Sequence, residues 1–290
     1  MLPDIVEYLV CPLCGADLAV AERALRCPSR HSFDIARQGY ANLLPGDART
    51  GTADTAEMVR ARDSFLGAGH FAPVADLLAQ RVSDGGGRFA SERSVGGRCV
   101  LDAGAGTGYY LGAVLDRLPE AVGLALDISK YAARRAARAH PRIGAAVADL
   151  WRPLPVRSGS VDTIINVFAP RNAAEFRRVL RPSGALHVVA PTARHLDSLV
   201  DSLGLLSVDE EKSERMELAL GGNFEPTSQE NLETAVSLSR DDVATLVGMG
   251  PSAHHIPAEE LAERAAKLPD PIPVTLSFVL TAFRPLRQDG

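Results

Sequence analysis

The pattern of apolar and polar positions divides the chain near Gly97. From Arg98 onward, short apolar runs alternate with helix-compatible stretches. Strands are expected over Arg98–Ala103, Ala121–Leu126, Gly144–Ala148, Val161–Ala169 and Ala185–Ala190. Helices are expected over Thr107–Leu118, from Ser129 through an Ala/Arg stretch to Pro141, and over Asn172–Leu180. Such alternation specifies a doubly wound α/β sheet with parallel strands. Val274–Phe283 has the composition of one more strand, and Leu206–Leu220 that of an exposed acidic helix. Ahead of Gly97, Val74, Leu77, Leu78 and Val82 stand at helical spacing behind Pro73. Thr55 is placed to cap a further helix over Ala56–Leu66. Gly46–Thr55 is polar and linker-like, and Ser83–Gly97, with Arg88 and Arg93, is expected as a flexible surface loop.

With 46% hydrophobic and 23% charged residues, the 290-residue chain has the composition of a globular protein. No run approaches the roughly 18 apolar residues that a membrane span needs. The start Met-Leu-Pro-Asp lacks the basic and apolar regions of a signal peptide, so a cytoplasmic location is expected and no membrane partner. A formal charge of −5 does not mark a nucleic-acid binder, but the charge is unevenly spread. Ser129–Arg194 holds twelve Lys/Arg against three Asp/Glu, and His195–Asp270 holds five against sixteen. A basic middle beside an acidic third can offer one phosphate-attracting face, or simply solvated helix faces. The sequence leaves a homodimer open.

Three of the four cysteines lie in the first thirty residues, as Cys11-x2-Cys14-x12-Cys27-x3-His31. Clustering of this kind in an intracellular chain argues for metal before disulfide. Three thiolates and one imidazole close a tetrahedron with no open position, which is a structural zinc site. A redox Cys-x-x-Cys would leave Cys27 and His31 unexplained. Cys99, opening the first central strand, reads as a small buried hydrophobe.

That strand ends in Asp102-Ala103-Gly104-Ala105-Gly106-Thr107-Gly108. Glycines between a strand and a helix let the backbone approach a ligand without Cβ interference. The run is neither G-x-G-x-x-G nor a P-loop. It resembles the first motif of the class I S-adenosylmethionine-dependent methyltransferases, whose glycines pass under the methionine part of the cofactor. The resemblance implies a Rossmann-like doubly wound sheet with an antiparallel last strand, here Val274–Phe283. Ligands in such sheets sit beyond the carboxyl ends of the strands, where Asp102, Asp127 and Asp149 all lie. An acid ending the second strand can accept both ribose hydroxyls, which assigns Asp127. Asp149, by side chain or adjacent backbone, is implied to meet the adenine amino group. Asp102 orders the glycine loop or faces the methionine amine. For any one of these acids alone, a helix N-cap is the competing role.

Behind the metal ligands come Phe33-Asp34, Ala36, Gly39-Tyr40 and Asn42-Leu43-Leu44-Pro45, then Asp54-Thr55-Ala56-Glu57-Met58, Ala61-Arg62 and Phe65-Leu66-Gly67-Ala68-Gly69-His70-Phe71. In this order they resemble the 23S ribosomal RNA guanine-N1 methyltransferases, which join a small N-terminal zinc-binding module to a methyltransferase domain. The resemblance divides the chain into an RNA-recognition module (1–45), a linker with helices (46–97) and a methyltransferase domain (98–290). It implies that Phe71 and His195, the latter in Pro191-x-x-x-His195-Leu196, border the cofactor. It further implies methylation of N1 of a guanine in a hairpin loop of 23S rRNA. Arg23, Arg26, Arg30 and Arg37 would hold RNA through phosphates. Asn166-Val167-Phe168-Ala169-Pro170 marks where the acceptor base meets the methyl group, with Phe168 either stacking on a flipped base or packed in the core. The run Met249-Gly250-Pro251-Ser252-Ala253-His254-His255 leans towards the subgroup with the tylosin-resistance methyltransferase, which ties the activity to macrolide resistance. No residue is assigned as the base for the N1 proton. A small-molecule methyltransferase would leave the zinc module without a purpose. The intact Gly104, Gly106, Gly108 and Asp127 speak against a vestigial RNA-binding adaptor.

Overall fold

The computed structural model describes residues 1–48, 51, 53–86, 97–204, 220–250 and 258–287. Eight strands form one sheet in the order β10-β11-β9-β8-β5-β6-β7-β4. Its centre is β5 (Arg98–Ala103), flanked by β6 (Ala121–Asp127) and β8 (Val161–Val167), all parallel. β7 (Ile143–Val147) and β9 (Leu180–Pro191) extend it in parallel on the two sides. These central strands are covered on both faces, which is why they read as near-continuous apolar runs. β11 (Ile272–Pro285) then pairs antiparallel with β9, and β10 (Phe224–Leu238) antiparallel with β11. The order and the antiparallel β11 are those of the class I methyltransferase fold.

The helices follow their caps. α2 (Ala56–Gly67) starts at Thr55, whose side chain accepts from the Met58 amide. α3 spans Ala72–Gly86, so it runs on past the expected end of helical pattern at Val82. α4 (Tyr109–Arg117) follows β5, and α5 (Lys130–Ala136), capped by Ser129, follows β6. α5 is shorter than its Ala/Arg composition suggests, because the chain loosens into turns before Pro141. α6 (Ala173–Val179) is capped by Asn172. The strand expected as far as Ala169 stops at Val167, because Phe168 takes a left-handed φ of 54° that no strand continues through. The loop bearing Arg88 and Arg93, the acidic stretch 206–219 and Pro251–His255 lie outside the described residues. Among the described residues no helix is long and apolar enough to cross a membrane.

The N-terminal residues form a small antiparallel sheet of β1 (Ala19–Ala21), β2 (Ala24–Arg26) and β3 (Ser32–Asp34). Three attachments tie it to the large sheet. β4 (Tyr40–Asn42) adds to the edge of that sheet, parallel to β7, with Ala41 opposite Ala146. α1 (Leu2–Ile5) lays Ile5 over Gly144, where a Cβ would overlap the Ile5 side chain. Leu9 pairs with Val156, with the Val10 amide on the Pro155 carbonyl at 3.0 Å and the Arg157 amide on the Tyr8 carbonyl at 2.8 Å. Leu2, Ile5, Leu9, Leu25, Phe33 and Leu43 accordingly share one core with Leu101, Leu124 and Ile164 of the large sheet.

One buried titratable group has a consequence for stability. His187 on β9 is buried beside Arg98, and its Nδ1 has no partner among the described residues. Burial, reinforced by the Arg98 charge, lowers its pKa to about 4. Below the unfolded value of roughly 6.5, the unfolded chain binds a proton that the folded chain refuses, so stability falls as pH drops from there toward 4. The loss over that window is on the order of 3 kcal/mol. Urea midpoints of the wild type should therefore fall between pH 7 and 4.5, and those of His187→Leu should fall less. Equal slopes would remove His187 from the acid response.

Candidate active site and metal centre

The glycine loop is held by the two strands beneath it. The Gly104 and Ala105 amides both donate to the Leu126 carbonyl, at 2.9 and 3.0 Å. Asp127, ending β6, locks the loop further: its Oδ2 accepts from the Gly106 amide and its Oδ1 from the Ser129 amide, each at 2.8 Å. Each carboxylate oxygen keeps a second lone pair for a ligand hydroxyl. Burial raises the Asp127 pKa, against the pull of those two amides.

Gly104 and Gly108 have separate jobs. Gly104 has φ +88°, and a Cβ there would overlap the Ala169 Cβ, so the turn after β8 lies directly against the loop. Gly108, φ +80°, faces α5, where a Cβ would sit 3.0 Å from the Ala136 Cα. Its role is close packing of helix and loop. Thr107 is buried and lines, with Gly108, Tyr109, Asp63, Asp76 and His140, a surface groove of about 400 Å³.

Asp102 is 1% exposed and neither carboxylate oxygen has a hydrogen-bond partner among the described residues. Burial first, and the Asp127 charge second, push its pKa well above the carboxylate range. An orphaned buried acid is expensive unless a ligand donor completes it. The buried Tyr110 hydroxyl and Asn166 Oδ1 are likewise unpartnered. The Asn166 amide nitrogen donates to the Ala103 and Pro170 carbonyls at 2.9 and 3.0 Å, which fixes Oδ1 as the free acceptor. Asp149 lies two residues past β7; its Oδ1 accepts from the Trp151 amide at 2.9 Å and its Oδ2 lies 3.8 Å from Arg152 Nε.

Phe71 and His195 meet in an aromatic wall beside this crevice. Phe71 lies 6.1 Å from His195, 5.3 Å from Phe278 and 6.3 Å from Phe168 (ring centroids), and Phe168 lies 6.3 Å from Tyr110. Phe168 is 42% exposed, so part of its ring is open to solvent. His195 Nδ1 accepts from the Ser277 amide at 3.3 Å, and burial lowers its pKa to about 4. The ring is therefore neutral near pH 7 with its proton on Nε2.

Two residues that the sequence patterning does not single out close over the loop. Arg62 on α2 is ion-paired with Asp54 and donates to the Met249 carbonyl at 2.7 Å. The Asp54 carbonyl accepts from Ser129 Oγ at 2.7 Å. The Asp54–Arg62 segment thus straps the 104–106 turn, and only its place in a family-like run hinted at that.

The metal cluster is compact. Cys11, Cys14, Cys27 and His31 offer ligand atoms all within 4.8 Å of one another. Cys14 and Cys27 sulfurs are 3.7 Å apart, and His31 Nδ1 lies 3.5 and 3.4 Å from the Cys11 and Cys27 sulfurs. A tetrahedron with Zn–S near 2.3 Å and Zn–N near 2.0 Å has edges of roughly 3.7 and 3.5 Å. The donor set fits zinc. The Ala16 amide, then the Ser29 hydroxyl, lower the Cys14 pKa to about 6.

Comparison with known proteins accords with both halves. Residues 9–50 match the zinc-ribbon family model described as RlmA, N-terminal, and residues 100–184 match the model described as Methyltransferase domain. A Streptomyces fradiae protein named 23S rRNA (guanine(748)-N(1))-methyltransferase is 48% identical over 99% of this chain and 100% of its own length. A Micromonospora griseorubida member of the 23S rRNA guanine-N1 group is 53% identical over 99% of this chain and all of its own. The chain belongs to the 23S rRNA (guanine-N1)-methyltransferase family. Among solved structures, the MccD protein matches 71% of this chain and 96% of its own at 15% identity and a TM-score of 0.46. As a family member the chain takes S-adenosylmethionine and zinc. The unpartnered Asp102, the Gly104 turn with no room for a Cβ and the tetrahedral edge lengths are what those two ligands require.

Two substitutions test the crevice. Asp127→Asn replaces one acceptor by a donor facing a backbone amide, and should weaken S-adenosylmethionine at least about tenfold by calorimetry. Gly104→Ala, strained by φ and blocked by Ala169, should abolish binding. Unchanged affinity in both would place the cofactor elsewhere.

Proposed function

We propose that the enzyme transfers a methyl group to N1 of a guanine in a hairpin loop of 23S rRNA. The observation that carries this is the fixed attachment of a zinc ribbon, through β4, to the sheet that bears the donor crevice. A small-molecule enzyme would have no use for such an appendage. Residues 1–45 serve as the RNA-recognition module, 46–97 as the connector with its strap over the loop, and 98–290 as the methyltransferase domain. Arg23, Arg26, Arg30 and Arg37 are all exposed on the ribbon side and suit phosphate contacts. The near full-length similarity to the Streptomyces fradiae guanine(748) enzyme supports N1 of a 23S rRNA guanine as the target; its place in a hairpin loop and macrolide resistance as the outcome are what the family resemblance implies. A cytoplasmic enzyme fits a ribosomal substrate.

The residues divide the work. Asp127 would hold the ribose hydroxyls, Asp102 the ammonium group, and the 104–106 turn the chain between them. Asp149 or the backbone beside it would meet the adenine. When bound, S-adenosylmethionine supplies a methyl on a cationic sulfur that needs no further activation. Catalysis is then mostly a matter of position. The aromatic wall of Phe71, Phe168, Tyr110 and Phe278 excludes water and offers π faces that favour a cation. Guanine N1 is protonated at neutral pH, and its proton must leave. His195 does not take it while its one lone pair is engaged by the Ser277 amide; it borders the site as an Nε2–H donor.

Zinc-loaded protein given tritiated cofactor and unmodified 23S rRNA should label one guanine, seen as a primer-extension stop. Label only in a small-molecule extract would overturn the proposal. Cys14→Ser should abolish RNA methylation while cofactor affinity stays within about threefold, because α1 and β4 are held by the sheet and not by the metal. Parallel loss of cofactor binding would make the metal a support of the whole fold.

A further inference from the structure

We infer that Trp151 is a stacking platform for an unpaired nucleotide of the RNA, standing between the zinc ribbon and the methyl-transfer crevice; this rests on the RNA substrate proposed above. Trp151 is the chain's single tryptophan, and it is 69% exposed. Leaving so large an apolar surface in water is unfavourable, and an indole on an accommodating loop would fold inward.

This loop does not accommodate; it is braced on every side. The Trp151 amide donates to Asp149 Oδ1 at 2.9 Å, and Asn172 Nδ2 donates to the Leu150 carbonyl at 2.9 Å. The Leu154 amide donates to Glu175 Oε2 at 2.6 Å, and Arg178 donates to the Leu154 and Val156 carbonyls at 2.9 and 2.8 Å. Arg152 binds both oxygens of Asp47 at 3.0 and 3.1 Å. The indole is thus held out by a rigid frame.

Its position says what it is held out for. Leu150, one residue before, is part of the crevice: its Cδ1 would lie 3.6 Å from a Cβ at Gly104. Asn172 ties the same residue to the turn that carries Phe168, another exposed aromatic at this end of the sheet. In the opposite direction, Arg152 ties the loop to Asp47, five residues beyond β4 and the ribbon. RNA leading from the ribbon to Phe168 therefore passes the indole. Arg152 pairs with Asp47 and lies 3.8 Å from Asp149 Oδ2, so neither carboxylate beside the flat ring is left without a cation. Such a surface stacks on the π face of any base and does not read its edge. A base inside a duplex has both faces covered, so the occupant is an unpaired nucleotide flanking the target guanine.

A single tryptophan makes the test direct. Titrating full-length, zinc-loaded protein with a guanine-containing RNA hairpin should quench the intrinsic emission, saturating at the concentration where binding saturates, while a blunt duplex should not quench. Trp151→Ala should raise KM for the hairpin about tenfold, leave kcat and cofactor affinity within about twofold, and be rescued by Trp151→Phe. A hairpin that is methylated with the emission unchanged, or an unaltered KM in Trp151→Ala, overturns the platform and leaves the activity standing. Quenching with no methyl transfer supports the platform and counts against the activity. Loss of self-association in Trp151→Ala, with KM unaltered, would assign the indole to a second copy of the chain instead.

Discussion

The pairing of Tyr40–Asn42 with β7 is the contact on which the working geometry depends. Three residues of backbone hydrogen bonding convert the ribbon from a tethered appendage into the eighth strand of the catalytic sheet. A tethered head would search for its RNA and pay ordering entropy at each encounter. A head fixed through β4, α1 and the Leu9–Val156 pair presents its arginines at a constant distance from the crevice. The shared core beneath these contacts packs the two halves against each other.

At the centre of the sheet, electrostatics prepare the crevice for a cation. Asp102, buried, and Asp127, half-buried, lie at the ends of adjacent strands; burial pushes both pKa values up, and the Asp127 charge pushes that of Asp102 further. Two carboxylates so placed are unfavourable in an empty site and favourable around a positively charged ligand. The strap of Asp54 and Arg62 closes the glycine loop from outside without entering it. Holding the donor tightly and leaving the base to be held elsewhere fits an enzyme whose substrate is far larger than the site.

Most of the central sheet was legible because its physics is simple. β5, β6 and β11 are apolar runs between turns, and each lies within one or two residues of its expected place. β10 was not legible: as an edge strand it carries Glu, Ser and Thr in half-exposed alternation, so no apolar run betrays it. β4 is too short for any periodicity, and its partner is a hundred residues away. The strand ends were also blurred where geometry overrides propensity, as at Phe168, where a left-handed residue ends a β-branched, apolar run. Metal ligands were the easiest part of the site to find, since three thiols and one imidazole at fixed spacing have few other uses. Asp102, Asp127 and Asp149 were legible as strand-end acids; Arg62 and Trp151 were not, because nothing local distinguishes a strap or a platform from solvated surface.

That last difference has a physical cause. A residue that binds a cofactor is constrained by the strand that carries it, so periodicity exposes it. A residue that meets RNA is constrained by contacts far away in sequence: Arg152 reaches Asp47 and Asn172 reaches Leu150, across 105 and 22 positions. The indole stays outward only because these distant partners hold its loop. Macromolecular recognition is therefore encoded in how loops are braced, and becomes visible only once the fold has brought the braces together.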